Sequence, residues 1–133
     1  MDQNFEKVKD YLLELNYAII KEEKEEGVFV IDNEDEGIKN AVIIIAEPIL
    51  IVEQFLFEMK PNSGDISTQL LKKNRDIIHG AFTLDEKGEK VIFRNTHECE
   101  NLDMNELEAT LNSIAILLSE YSDELIAFSK ENQ

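Results

Sequence analysis

The sequence predicts an α+β domain in which helices flank an antiparallel β-sheet. Helical patterns lie at both ends of the chain, and the apolar segments between them are short and separated by turn residues. Strands joined by short turns pair antiparallel, and helices segregated from them in sequence pack on the resulting sheet. A length of 133 residues suits one domain, so we expect residues 1–133 to fold as a single unit.

The first half of the chain predicts one helix and four strands. Apolar residues at spacings of three and four indicate a helix over 2–16, with Asp2 as its N-cap. Apolar and β-branched residues indicate the strands, and the third and fourth are expected to form a hairpin interrupted by Glu47-Pro48. The predicted strands cover residues 17–21, 27–32, 41–46 and 49–59.

The second half predicts two helices around a hairpin. A turn at 61–64 precedes a helix over 65–79, which Gly80 ends as a C′ glycine would. Asp103 and Glu106 resemble a capping box, and they begin a final helix of about 27 residues. The hairpin consists of strands 81–84 and 90–94 around the turn 85–88. The predicted order is α-β-β-β-(β)-α-β-β-α.

The chain is strongly acidic, with 29 Asp and Glu against 13 Lys and Arg, a net charge of −16 and a pI near 4.4. Nucleic acids and anionic membranes both select basic surfaces, so we expect neither as a partner. The amino terminus lacks the basic start and apolar run of a signal peptide, and Cys99 has no second cysteine for an internal disulfide. These features predict a cytoplasmic protein.

The negative charge is concentrated at the two ends of the chain. Residues 2–37 and 98–131 each carry a net charge of −8, while residues 38–97 are neutral. One interpretation is that the acids keep helix faces and turns soluble. The other is that they form a rim that selects or steers a basic partner. The sequence leaves both interpretations open.

Few side chains could perform catalysis. His79 and His97 are the candidate general bases, and His79 is interpreted as a cap or a partly buried histidine. His97 and Cys99 could face one ion, but a structural zinc usually takes four Cys or His ligands and the chain has three such residues. The acidic loop 32–37 resembles a calcium loop, yet Ile43 occupies the position of its bidentate acid. We therefore expect no enzyme activity, no cofactor and no metal.

Three segments carry a family resemblance: a leucine pair followed by Asn74 within 70–75, the hairpin segment 80–91, and the helix start at 102–111. They are similar to the second helix, the next hairpin and the C-terminal helix of the type III secretion chaperone-like superfamily, which includes CesT/Tir-type chaperones and YbjN-like proteins. The resemblance implies a helix-flanked antiparallel sheet, often assembled as a homodimer. It also implies a non-enzymatic protein that holds an extended client segment, or a YbjN-like protein linked to regulation.

The fourth strand is predicted to contribute to a binding surface, because both of its sides are apolar. Strict alternation of side chains along a strand separates two sets of residues. One set is Leu50, Val52 and Leu56, and the other is Ile51, Phe55 and Phe57. In the final helix, Ala109, Ile116 and Leu117 lie off the main apolar stripe, and this wider apolar surface could either fit a curved sheet or form a second contact such as a subunit interface. The candidate protein-binding or dimer surface is Ile51, Phe55, Phe57, Ile116 and Leu117.

Several occupants of this surface are possible. The second side of the sheet could be covered by the chain's own long helix, by a sister subunit or by a client. The sequence therefore predicts a protein-binding module that holds a client segment, in the manner of a Tir-type chaperone, as a homodimer. The alternative is a YbjN-like regulatory or scaffold protein that binds a folded partner.

Overall fold

The computed structural model describes residues 2–60 and 64–131. The predicted turn at 61–64 lies outside these ranges except for Gly64, which begins the second helix. A short 3₁₀ turn at Glu34–Glu36 precedes the third strand. The helices and strands in chain order are α1 (Asp2–Glu14), β1 (Ala18–Glu23), β2 (Val28–Asn33), β3 (Ile38–Ala46), β4 (Ile49–Glu58), α2 (Gly64–Asn74), β5 (Ala81–Leu84), β6 (Lys90–Glu98) and α3 (Met104–Glu131).

The strands form one six-stranded antiparallel sheet in the spatial order β1-β2-β3-β4-β6-β5. β4 pairs with β6 from Ile49 opposite Glu98 to Glu58 opposite Lys90, which places β5 at the edge of the sheet. This architecture confirms the predicted α+β class and the predicted order of helices and strands. No helix within the described ranges has both the length and the apolarity to cross a membrane.

The helices pack on one face of the sheet, which we call the covered face. Residues opposite each other in an antiparallel pair share a face, and Phe29, Ile43 and Val52 form such a row across three strands. All three side chains are fully buried. From α1, the ring of Phe5 stacks on the ring of Phe29 with the centroids 4.3 Å apart.

The other two helices extend this core along β4 and β5. The ring of Phe128 in α3 lies 6.4 Å from the ring of Phe57, and the ring of Tyr121 lies 6.1 Å from that of Phe82. α2 packs beside α3, since Lys73 Nζ lies 4.7 Å from the centroid of Tyr121. One continuous hydrophobic core therefore joins the three helices to the sheet.

α2 ends at Asn74, five residues before the predicted end at 79. The next backbone hydrogen bonds run from residue i to residue i−3, as from Asp76 N–H to the carbonyl oxygen of Lys73 at 3.0 Å. Such bonds tighten the last turn of a helix. Because α2 ends early, the chain can turn back into β5. The apolar spacing of Ile77 and Ile78 carries no information about this turn, so it predicted a longer helix.

Three strands are longer than predicted, and one of them, β3, begins three residues early at Ile38. β1 continues to Glu23 and β6 continues to Glu98, although both extensions are rich in polar and charged residues. Polar residues have low strand propensity, but pairing with a neighbouring strand overrides it. β2 pairs with β1 along its length, and β4 pairs with β6 up to its end.

Candidate protein-binding surfaces

The face of the sheet opposite the helices is the first candidate surface, and we call it the open face. Burial alternates along β2, β3, β4 and β6, with each fully buried residue followed by one that is partly or largely exposed. Apolar residues occupy many of these partly or largely exposed positions on four adjacent strands, and they form one continuous patch. Its larger apolar residues are Val28, Val30, Val42, Ile44, Ile49, Ile51, Phe55 and Ile92.

Ile51 and Phe55, both nominated from the sequence, lie on this open face. Ile51 is directly opposite Ile44 on β3, and Phe55 is opposite Ile92 on β6. Phe55 is 49% exposed, which is unusual for a large aromatic residue in a sheet. An ion pair lies among these apolar residues: Arg94 Nε is 3.7 Å from a carboxylate oxygen of Glu53.

The structure corrects the placement of Phe57, which the sequence grouped with Ile51 and Phe55. The register of β4 against β6 shifts between Phe55 and Phe57, where Leu56 is an extra residue. A bulge of this kind reverses the alternation of side chains beyond it. Phe57 is therefore on the covered face, 5% exposed and in contact with Phe128.

The structure also separates the two nominated residues of α3. Leu117 is 3% exposed and belongs to the core, so its assignment to a surface is wrong. Ile116 is 57% exposed and points away from that core. The helix is apolar beyond one face, as the sequence indicated, but only one of these two residues is available to a partner.

A groove adjoins the open face at the end of β4. It has a volume of about 420 Å³ and lies between Phe55 to Phe57 and the last turns of α3. Ile126 lines it and is 53% exposed. Ile126 was not predicted to belong to a binding surface, because the strand that faces it across the groove is distant in sequence.

The two edges of the sheet offer little room for an added strand. β1 presents the charged run Lys21-Glu22-Glu23, and charged edges resist pairing with other chains. At β5, Asn74 occupies the outer edge: its Nδ2 donates to the carbonyl oxygen of Phe82 at 3.1 Å, and its Oδ1 accepts from the Phe82 N–H at 2.8 Å. An added strand would have to displace both hydrogen bonds.

The candidate residues for catalysis or metal binding were His79, His97 and Cys99, and each has different surroundings in the fold. His97 Nε2 lies 2.6 Å from Thr110 Oγ1, and burial lowers the pKa of His97. Burial, together with the charge of Glu47, raises the pKa of the Cys99 thiol, so the thiol stays protonated. His79, interpreted as a cap or a partly buried residue, is exposed. Within residues 2–60 and 64–131, no three His, Cys, Asp or Glu side chains are grouped as a metal ion would require.

The chain belongs to the CesT_Tir_1 family, whose sequence model matches residues 1–131. This match confirms the resemblance that the motifs predicted. Comparison with curated proteins gives no match.

Solved structures show the same fold at low sequence identity. YbjN, titled a putative transcription regulator from E. coli, has a TM-score of 0.66 at 11% identity, covering 88% of this chain and 90% of its own. A chain of the HopA1–SchA chaperone–effector complex has a TM-score of 0.62 at 12% identity, covering 98% of both chains. A chain of the complex between the Yersinia pestis type III secretion chaperone SycH and a fragment of YscM2 has a TM-score of 0.57 at 16% identity, covering 95% of this chain and 99% of its own. The fold is that of the type III secretion chaperones.

Proposed function

We propose that this protein is a non-enzymatic protein-binding module that holds a segment of a client protein on its apolar surfaces, as a cytoplasmic homodimer. The family membership supports protein binding in general, because two structures of the same fold are titled as complexes with protein partners. The client and the dimer are our inference from the surfaces of this chain.

The open face is the observation that carries the proposal. Apolar side chains on four strands form much of its surface, and Phe55 among them is 49% exposed. Leaving such a patch in water is unfavourable by about 25 cal/mol for each Å² that a partner could cover. Monomeric proteins rarely keep a continuous patch of this kind unless it binds something.

Charge supports a dimer on the open face in preference to the helix side. Two copies of a chain with a net charge of −16 repel each other, and the repulsion is strongest where acidic segments meet. The neutral segment 38–97 supplies β3, β4 and β6, which form most of the open face. Association through this face therefore brings together the least charged part of the molecule, and the groove between Phe55 and Ile126 at its border is left for the client.

Light scattering combined with capture from the source cell tests the proposal. We expect the purified chain to be a dimer, Ile51→Glu on the open face to shift it toward a monomer, and Phe55→Glu to reduce the amount of captured client. Leu13→Glu is the matched control, because Leu13 is a 53% exposed apolar residue on α1, away from that face. A monomeric wild-type chain, together with capture that Phe55→Glu leaves unchanged, would overturn the proposal.

A YbjN-like regulatory or scaffold role is the second candidate. The similarity to YbjN, with a TM-score of 0.66, favours it. The two candidates differ in the state of the partner, which is an extended segment in the first and a folded protein in the second. Once a partner has been captured, binding measured with its folded and its denatured forms distinguishes them, since a scaffold should bind only the folded form.

A further inference from the structure

A second surface crosses the outer side of α3, away from the open face. Two hollows of about 340 and 210 Å³ lie on either side of α3 and share Ile116 and Glu120. The first reaches the 3₁₀ turn at Asp35 and Glu36, and the second reaches the segment 76–79 between α2 and β5. We call the two hollows together the acidic groove.

The floor of the acidic groove contains exposed apolar side chains. Ile78 is 89% exposed and Ile116 is 57% exposed, and both line the same hollow. Isoleucine is among the residues most often buried in proteins, so two exposed isoleucines in one concave surface are unusual. They form a site where one bulky apolar side chain of a partner could be buried.

The rim of the acidic groove is negatively charged. Asp35, Glu36, Asp76 and Glu120 line it, and no lysine or arginine of the described residues does. None of the ion pairs found among the described residues involves these four carboxylates. The negative field extends to Tyr17 nearby, whose pKa burial raises to about 12 with a further contribution from Glu36.

The charge of this groove determines which occupant fits. A second copy of the chain carries a net charge of −16 and would add acidic side chains to an acidic rim. A cationic partner gains from the same rim, and its Lys or Arg side chains could keep their charged ends in water while their stems cover apolar surface.

We propose that the acidic groove docks a basic, amphipathic segment of a partner protein. One bulky apolar side chain of that segment packs between Ile78 and Ile116, and flanking Lys or Arg side chains pair with Glu36 and Glu120. The inference rests on the proposed function, since it names the chemistry of a partner for a protein-binding module. It assigns to the groove a role separate from that of the open face.

Two synthetic peptides of opposite charge test this inference. Both carry the same spaced leucines, and the positions between them are lysine in one peptide and glutamate in the other. We expect the lysine peptide to bind in fluorescence anisotropy, more weakly as the salt concentration rises, and the glutamate peptide not to bind. The double variant Glu36→Gln/Glu120→Gln should weaken binding about threefold to tenfold, and Ile116→Ser about tenfold.

Matched controls distinguish a site from general attraction to an acidic protein. Glu25→Gln/Glu26→Gln removes two exposed acids from the β1–β2 turn, and Leu13→Ser removes an exposed apolar residue from α1. Both control variants should bind the lysine peptide like the wild type. Equal weakening by the control and groove variants would overturn the inference.

Two further outcomes would also overturn it. If Ile116→Ser turns a dimer into a monomer, a second copy of the chain occupies the groove. If neither peptide binds, the groove does not select basic segments. Ile51→Glu and Phe55→Glu report on the proposed function independently, because they alter the open face alone. Their expected effects, combined with a failure of the peptide experiment, would leave the proposed function intact and remove only this inference.

Discussion

The two faces of the sheet are similar in composition and differ in what lies against them. Ile43 and Ile44 are neighbours on β3, yet Ile43 is fully buried beneath the helices while Ile44 stays partly exposed on the open face. The same strands supply both faces, since side chains alternate along a strand. A sheet that is apolar on both sides and covered by helices on one retains surface for a partner.

The polar groups of the two faces differ in the same way. On the covered face, Thr110 is buried and contacts both Asn95, at 3.1 Å, and His97. On the open face, Glu53 and Arg94 form a partly exposed ion pair. Buried polar groups destabilise a fold unless they are hydrogen-bonded, whereas exposed ones are hydrated. Small changes of a side chain should therefore destabilise the fold more on the covered face than on the open face.

The largest difference is expected from paired truncations on β3. We expect Ile43→Ala to lower the free energy of unfolding by about 2–5 kcal/mol, because it leaves a cavity in the core. Ile44→Ala should lower it by about 1 kcal/mol or less. Urea unfolding followed by circular dichroism measures both values. Equal losses in dilute protein would contradict the distinction between the faces, and a loss for Ile44→Ala that grows with protein concentration would show that a second copy covers the open face.

The next effect concerns two glycines with positive φ angles, 100° at Gly80 and 71° at Gly88. A Cβ at Gly80 would lie 2.6 Å from Cζ of the buried Phe93 and 3.1 Å from the carbonyl oxygen of Arg94, whereas nothing lies within 4 Å of a Cβ at Gly88. We expect Gly80→Ala to cost roughly 2–4 kcal/mol and Gly88→Ala about 1 kcal/mol. Thermal unfolding of the two variants compares them, and a smaller loss for Gly80→Ala would show that the core beside Phe93 yields easily.

A smaller effect is the pH dependence of folding stability that His97, on the covered face, should produce. Burial holds the pKa of folded His97 below 6.5, so the unfolded chain binds this proton more readily as the pH falls. The stability that neutral His97 contributes is complete above pH 6.5, the ordinary pKa of histidine in an unfolded chain. It is lost as the pH falls through the lower pKa of His97 in the folded protein. Glu106 of α3 opposes the shift, and His79 adds to it.

The measurement compares unfolding free energies from about pH 7 to about pH 5. The unfolding free energy of the wild type should decline as the pH falls over this range. We expect His97→Asn to make this decline less steep, by at most the slope that the binding of one proton produces. His79→Asn removes an exposed histidine that contributes to the shift but leaves His97 in place, so it should reduce the decline by less than His97→Asn does. The same slope in His97→Asn and in the wild type would show that protonation of His97 does not disturb the packing of α3.

The smallest effect is expected from the ion pair on the open face. Glu53 and Arg94 are partly exposed, and such pairs contribute about 0–1 kcal/mol. A double-mutant cycle with Glu53→Gln and Arg94→Gln should return a coupling energy in that range in dilute protein. A coupling well above it would mean that the pair is shielded from water, as it would be if a partner covered the open face.

The candidate surface could be predicted only in part. Phe55 and Ile116 are exposed and Ile51 is partly exposed, as the sequence predicted, because alternation and helical periodicity hold locally. Phe57 and Leu117 are buried, because the register shift beside Leu56 and the fit of α3 to the sheet depend on residues far away in the sequence. The acidic groove could not be predicted, since it brings together segments 35–36, 76–79 and 113–121.

The sequence by itself determined the class of the fold, the order of its elements and the capping of α3. Asp103 accepts a hydrogen bond from the Glu106 N–H at 2.8 Å, as the N-cap pattern predicted. These features depend on interactions within a few residues. The tertiary structure alone decided the end of α2, the contact of Asn74 with Phe82, and which apolar face remains uncovered. Each of these depends on the geometry of distant pairing, which no local pattern contains.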